Sequence, residues 1–270
     1  MEPLAQALRT ARSDRRPLVV PYLMVDRARR NRLGRTVAAL AEAGAAALEL
    51  GFPFSDPIAD GPTLEAAAGR SLAHGTRWAD LLEQISRASR LLPTAVMTYA
   101  NPVWARGLAR AASELRRAGA TGLIVPDLSL EETPPWRDAA DAAGLSLVLL
   151  AAPSATPART ATIARASSGF LYLVSRFGTT GTAAPSPARE LAPLVTAAHR
   201  AAPRLPVLVG FGVHNASSAR AALASGADGV VVGSALEEVV QRSPSPGAAA
   251  SFLRPIVAAA RVRGGPSARR

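Results

Sequence analysis

The chain contains no cysteine, which removes disulfides, thiolate nucleophiles and Cys-ligated metals at once. It contains no lysine either: all 31 basic residues are arginine, so any mechanism built on a Schiff-base lysine is excluded. Aromatic residues make up only 4% of the sequence, too few to interleave with the arginines as a nucleic-acid surface requires. Its longest apolar runs, such as Leu147–Pro153, fall far short of the ~20 residues that span a bilayer. The N-terminal stretch is polar and has no apolar signal core, so the expectation is a cytoplasmic protein with no membrane partner. Charged residues are 19% of the chain against 49% apolar, a balance that supports a large core and excludes wholesale disorder.

What charge there is leans strongly one way, with a formal net charge of +11 and a pI near 11.5. The arginines are spread over helical stretches and the tail (Arg261, Arg263, Arg269, Arg270) with no recognition motif. We read them as a solvated surface and expect no nucleic-acid partner.

Short apolar runs recur along the chain at Pro17–Val25, Ala46–Leu50, Pro93–Tyr99, Gly122–Asp127, Leu145–Ala151, Gly169–Ser175, Pro206–Gly212 and Gly229–Gly233. Between them lie stretches of helical period, including Arg35–Ala43, Ala105–Arg117, Asp138–Ala143 and Ser217–Ala224. The phrases AGAAALEL, AGATGLIV, AGLSLVLL and SGADGVVV each set a small or Gly-containing helix stop directly before a strand. Eight such units in a 270-residue chain predict an α/β fold, a single (β/α)₈ barrel with extra helices. We expect one domain over residues 1–263 and a disordered tail over 264–270. The segment Gly51–Leu92 is longer than one crossover needs and predicts an extra helix and a functional loop.

The polar residues then fall into two groups. Along the second strand, Ala47, Glu49 and Gly51 share one face and Ala46, Leu48 and Leu50 the other. Either face is apolar, so Glu49 is a buried carboxyl: a general acid/base with a raised pKa, or one arm of a buried Arg ion pair. Asp60 lies on the proline- and glycine-stiffened loop leaving that strand, together with Asp56, which reads better as a turn or helix-capping residue. The second group is glycine-based: GTTGT (Gly178–Thr182), VGFG (Val209–Gly212) and VVGSALEEVV (Val231–Val240) follow strands six, seven and eight. Barrels bind phosphate with such loops and a helix N-terminus, which makes Gly181, Gly212, Gly233 and Ser234 a candidate cradle, although turns need glycine in any case. His74, His199 and His214 occupy separate contexts and form no metal-ligand set. The first two read as helix-surface residues, and His214 as loop surface close to the anion site.

Leu48–Pro62 (LELGFPFSDPIADGP), with Pro21–Tyr22, Met97–Asn101 (MTYAN), Ser168–Gly181 (SGFLYLVSRFGTTG), VGFG and VVGSA, resembles the tryptophan synthase alpha chain family, in family order from about residue 17 to 240. That resemblance implies cleavage of indole-3-glycerol phosphate to indole and glyceraldehyde 3-phosphate without metal or cofactor. It also implies a PLP-dependent beta-chain partner that takes the indole, in an alpha2beta2 assembly. The family's acid/base glutamate falls on Glu49 and its indole-binding aspartate on Asp60. Tyr22, Met97, Tyr99, Ile124, Leu150, Tyr172 and Phe211 would line the indole pocket, with Thr180 on a mobile loop (176–186) bonding Asp60. The phosphate contacts match Gly181, Gly212, Gly233 and Ser234. Where the family has a Gly-Asp-Pro turn after the first strand, this chain has Leu23-Met24-Val25-Asp26-Arg27, and Pro126 replaces a small residue. A stand-alone lyase releasing free indole and a weakly catalytic activator of a partner are the competing readings.

Overall fold

The computed structural model describes residues 3–14, 16–175 and 187–261. Eight parallel strands close into a barrel in chain order: β1 (Leu18–Met24), β2 (Leu48–Gly51), β3 (Thr94–Met97), β4 (Gly122–Ile124), β5 (Ser146–Ala151), β6 (Leu171–Val174), β7 (Val207–Gly210) and β8 (Gly229–Val232), with β8 paired back onto β1. Around them run α1 (Pro3–Ser13), α2 (Arg30–Glu42), α3 (Pro62–Ala73), α4 (Trp78–Ala88), α5 (Ala100–Arg106), α6 (Leu108–Ala118), α7 (Thr133–Ala143), α8 (Pro157–Ala166), α9 (Pro187–Ala201), α10 (Ala216–Leu223), α11 (Ser234–Arg242) and α12 (Pro246–Arg261). All eight predicted strands are present, and the long second crossover carries two helices, α3 and α4. The expected tail and the loop bearing Thr180 and Gly181 lie outside the described residues.

The strands read as nearly unbroken apolar runs because both of their faces are covered. Val19, Leu23, Leu48, Leu50 and Val96 point outward into one large cluster with the helices. Val20, Tyr22, Met24, Ala95, Met97, Ile124, Val148, Tyr172, Leu208 and Val231 point inward and fill the barrel. The period of two therefore puts Glu49, in register with Tyr22 across β1 and β2, on the inner face.

Two features depart from the sequence reading. The expected helix over Ala105–Arg117 is broken at Gly107, whose φ of +85° no β-carbon-bearing residue adopts cheaply, and becomes α5 and α6. Helix α1, which the sequence reading leaves unassigned, shuts the N-terminal end of the barrel. Leu4 and Leu8 are fully buried in the inner cluster, each side chain contributing roughly 1.5–3 kcal/mol by burial. Gly122 makes room for Leu4, since a Cβ there would lie 2.7 Å from its Cδ2. With that end stoppered, the opposite end is the one left to hold a ligand.

Candidate active site

A cavity of about 180 Å³ opens at the C-terminal ends of the strands, lined by Tyr22, Glu49, Met97, Tyr172, Phe211 and the segment Gly233–Ala235, among others. Two glycines make room for its tyrosine rings. A Cβ on Gly51 would sit 1.8 Å from the Tyr22 hydroxyl, and one on Gly210 would sit 2.4 Å from that of Tyr172. Each tyrosine ring therefore lies across the strand end of a neighbour that has no side chain there. Phe211 packs edge-on to Tyr172, with ring centroids 5.8 Å apart. Its backbone takes a φ of +63°, unusual for a residue with a β-carbon, and the Ser175 hydroxyl donates to its carbonyl and pins the turn.

Glu49 is wholly buried, and neither of its carboxyl oxygens has a hydrogen-bond partner. The alternative of a buried arginine pair is thus not realised among the described residues. Desolvation, reinforced by the nearby Asp60 charge, pushes its pKa up to about 8. Asp60 is half-buried on the loop after β2, with one oxygen buried and unpartnered. Burial raises its pKa to about 6, against the opposing pull of the Tyr99 hydroxyl and with a further push from Glu65. Tyr99 receives the Ala59 backbone N–H at 3.0 Å and stacks near Phe54, which fixes the loop holding Asp60. Burial and the surrounding carboxylates hold the Tyr22 and Tyr172 hydroxyls far above their ordinary pKa, so both stay neutral.

Beside this apolar part, the mouth is made of backbone. Gly212 turns with a φ of +98°, and Gly233 precedes α11 without any side-chain cap. The first N–H groups of α11, from Ser234 onward, are left for an anion.

Of the residues singled out from the sequence, Tyr22, Glu49, Met97, Tyr172, Phe211, Gly212, Gly233 and Ser234 meet in the one cavity. Ile124 sits beneath it in the barrel interior and Leu150 at the edge of the same cluster. Leu64, Val213, His214, Val231 and Ala235 also line the cavity; of these only His214 carried a sequence signal, its closeness to Gly212. Asp56 is exposed in a turn: its carboxylate accepts from the Ser55 hydroxyl and its backbone carbonyl accepts from the Ile58 N–H, so it is a turn residue whose side chain caps no helix. His74 and His199 are not free surface residues: each ring nitrogen meets a carboxylate, Asp26 at 3.0 Å and Asp228 at 2.9 Å.

Among the described residues no group of three or more His, Asp or Glu side chains is placed to hold a metal. None of their helices is long and apolar enough to cross a membrane. Fold and site together define a (β/α)₈ barrel with a buried, partnerless carboxyl inside its C-terminal mouth and glycine backbone and an uncapped helix start beside it. Residues 8–252 match the model of the family described as tryptophan synthase alpha chain. The chain belongs to that family. It is 40% identical to the tryptophan synthase alpha chain of Chloroflexus aggregans over 265 residues, covering 96% of this chain and 98% of that one. A structure of Mycobacterium tuberculosis tryptophan synthase superimposes with a TM-score of 0.86 at 34% identity, covering 97% and 99% of the two chains. The tryptophan synthase complex from Pyrococcus furiosus gives 0.75 at 32% identity, covering 89% and 96%.

Proposed function

We propose that the chain cleaves indole-3-glycerol phosphate by a retro-aldol reaction, with Glu49 as the proton carrier and Asp60 as the indole anchor. The observation that carries this reading is a carboxyl with no partner at all, buried in the wall of an apolar cavity. With Glu49 near 8 and Asp60 near 6, the neutral range leaves Glu49 protonated and Asp60 ionised, a division of labour between two carboxyls in one site. Protonated Glu49 delivers its proton to indole C3, which turns the ring into an electron sink. The carboxylate so formed takes the proton of the side-chain hydroxyl as the C–C bond breaks, the bonding electrons return to the indole ring, and Glu49 ends protonated as it began. Asp60 accepts the indole N–H and stabilises the positive charge that grows there.

Tyr22, Met97, Tyr172 and Phe211 shape the indole pocket, with Tyr99, Ile124 and Leu150 behind them. Gly212, Gly233 and Ser234 hold the phosphate through backbone N–H groups, joined by Gly181. Thr180, which like Gly181 lies outside the described residues, is assigned to Asp60 by the family resemblance alone.

A PLP-dependent beta chain in an alpha2beta2 assembly is the proposed partner. Two large apolar side chains support a docking face at the site end: Ile58, 83% exposed on the loop between β2 and α3, and Trp104, 61% exposed on α5. The test is an indole-release assay on the purified chain, alone and mixed with a beta chain. Release that rises strongly on mixing meets the expectation. Equally fast release alone replaces it with the stand-alone lyase, and no release in either case leaves only an activator.

A further inference from the structure

The cavity poses a charge problem. It faces a substrate that ends in a phosphate dianion, yet the ionisable side chains lining it are Glu49, Tyr22, Tyr172 and His214. The chain carries 31 arginines, and among the described residues none of them lines the cavity. Among the described residues, His214 is the one lining side chain able to carry positive charge there.

Its surroundings hold it in place and leave one nitrogen open. The His214 backbone N–H donates to the Ser218 hydroxyl at 2.9 Å, and Ser218 is itself locked with Asn215 in the capping box that opens α10. Its Nδ1 lies 2.8 Å from the Gly212 carbonyl oxygen. A carbonyl only accepts, so Nδ1 carries hydrogen, and Nε2 is the nitrogen that gains or loses a proton. Neutral, Nε2 presents a lone pair that repels a dianion; protonated, it presents a donor and a charge. Gly212, Gly233 and Ser234 line the same cavity.

We propose that His214 is the cationic contact of the phosphate site, so that binding of the phosphate dianion is coupled to uptake of a proton by its imidazole. The inference rests on the proposed substrate's phosphate lying against Gly212, Gly233 and Ser234. Among the described residues, the other charged groups on α3, α10, α11 and the loop after β2 nearest the site are Glu65, Arg70, Arg220, Glu237, Glu238, Arg242 and Asp60. Glu237 is paired with Arg29 and Glu238 with Arg242.

The chain's three histidines make the test direct. Long-range proton–nitrogen NMR of the imidazoles is recorded on the full chain from about pH 5 to 8.5, a range spanning the histidine transition, with and without saturating glycerol 3-phosphate. The His214→Asn variant assigns the His214 signal, and the residue's place on an exposed loop leaves the fold intact. The free His214 ring is expected as the Nδ1–H tautomer. Its midpoint should rise by about one pH unit on binding, a tenfold preference of the ligand for the charged ring, while His74 and His199 stay still. His214→Asn should weaken glycerol 3-phosphate about tenfold at pH 6.5 and less at pH 8.5. Binding with an unmoved His214 midpoint, or with equal affinity in the variant, overturns this inference and leaves the phosphate site standing. If calorimetry detects no binding of glycerol 3-phosphate to the full chain at either pH, both the inference and the functional reading beneath it fall.

Discussion

Two glutamates are completely buried among the described residues, and they are opposites. Glu237, on α11, accepts from the Arg29 guanidinium at 2.6 Å, the Met24 backbone N–H at 3.2 Å and the Gln241 side chain at 3.1 Å. Arg29 in turn reaches Asp26, which also takes His74 and the Ala28 N–H. Glu49 sits on the inner face of β2, equally removed from water, with no partner on either oxygen. A buried charge that is paired and hydrogen-bonded ties elements together, here the β1–α2 turn to α3 and α11. A buried carboxyl left alone is held protonated by its surroundings and ties no elements together. The contrast separates a structural residue from a chemical one where burial alone does not.

The sharpest way to break the contrast is Glu49→Gln. It should lower kcat/KM for indole release by 10³ or more, roughly the upper part of what a general acid/base contributes, while the melting temperature holds or rises. A variant that still cleaves at full rate sinks the assignment. Glu237→Ala should behave the other way round, costing about 3 kcal/mol of stability in denaturant unfolding, the lower end of what breaking a buried pair costs, because Arg29 keeps only Asp26 and the Met24 N–H loses its acceptor.

A pH series sharpens the same point. Because the folded pKa of Glu49 is about 8, above its ordinary 4.5, the folded chain binds more protons than the unfolded one between those values. Stability contributed by the neutral carboxyl is complete below about pH 4.5 and is lost as pH rises through 8, a change on the order of 5 kcal/mol. Glu49→Gln should flatten that slope, and Glu237→Ala should leave it. In the same range kcat/KM should form a bell with limbs near 6 and 8, set by Asp60 and Glu49. A flat profile removes the two-carboxyl mechanism. The smallest effect is expected from Gln241→Leu, which deletes one of three contacts to Glu237 and should cost about 1 kcal/mol.

The barrel was legible because strands covered on both faces announce themselves as β-branched or apolar runs, and glycine-bearing helix stops precede four of them. Glu49 was legible for a related reason: a lone carboxylate in the run Ala46–Gly51 has no polar side to turn to. Its partnerless state was not legible, since the distant Arg29 could have met either buried glutamate and the fold alone decides that it meets Glu237. Helix α1 escaped because its apolar residues Leu4 and Leu8 stand among arginines and polar residues, and the seat of Leu4 depends on glycines more than a hundred residues away. The break at Gly107 escaped because an isolated glycine within a helical period is as often tolerated as not. His74 and His199 do lie at helix surfaces, but their pairing was not legible because the carboxylate partners lie 48 and 29 positions away along the chain.

The phenol of Tyr22 lying over the bare backbone of Gly51 has a further consequence. Positions 22 and 51 share a single volume, so neither can enlarge unless the other shrinks, and a side chain at 51 acts chiefly by evicting the ring. Trimming the tyrosine alone would deepen the pocket by the space of an aromatic ring beside Glu49. That makes the pair a natural dial for admitting indoles with bulkier substituents.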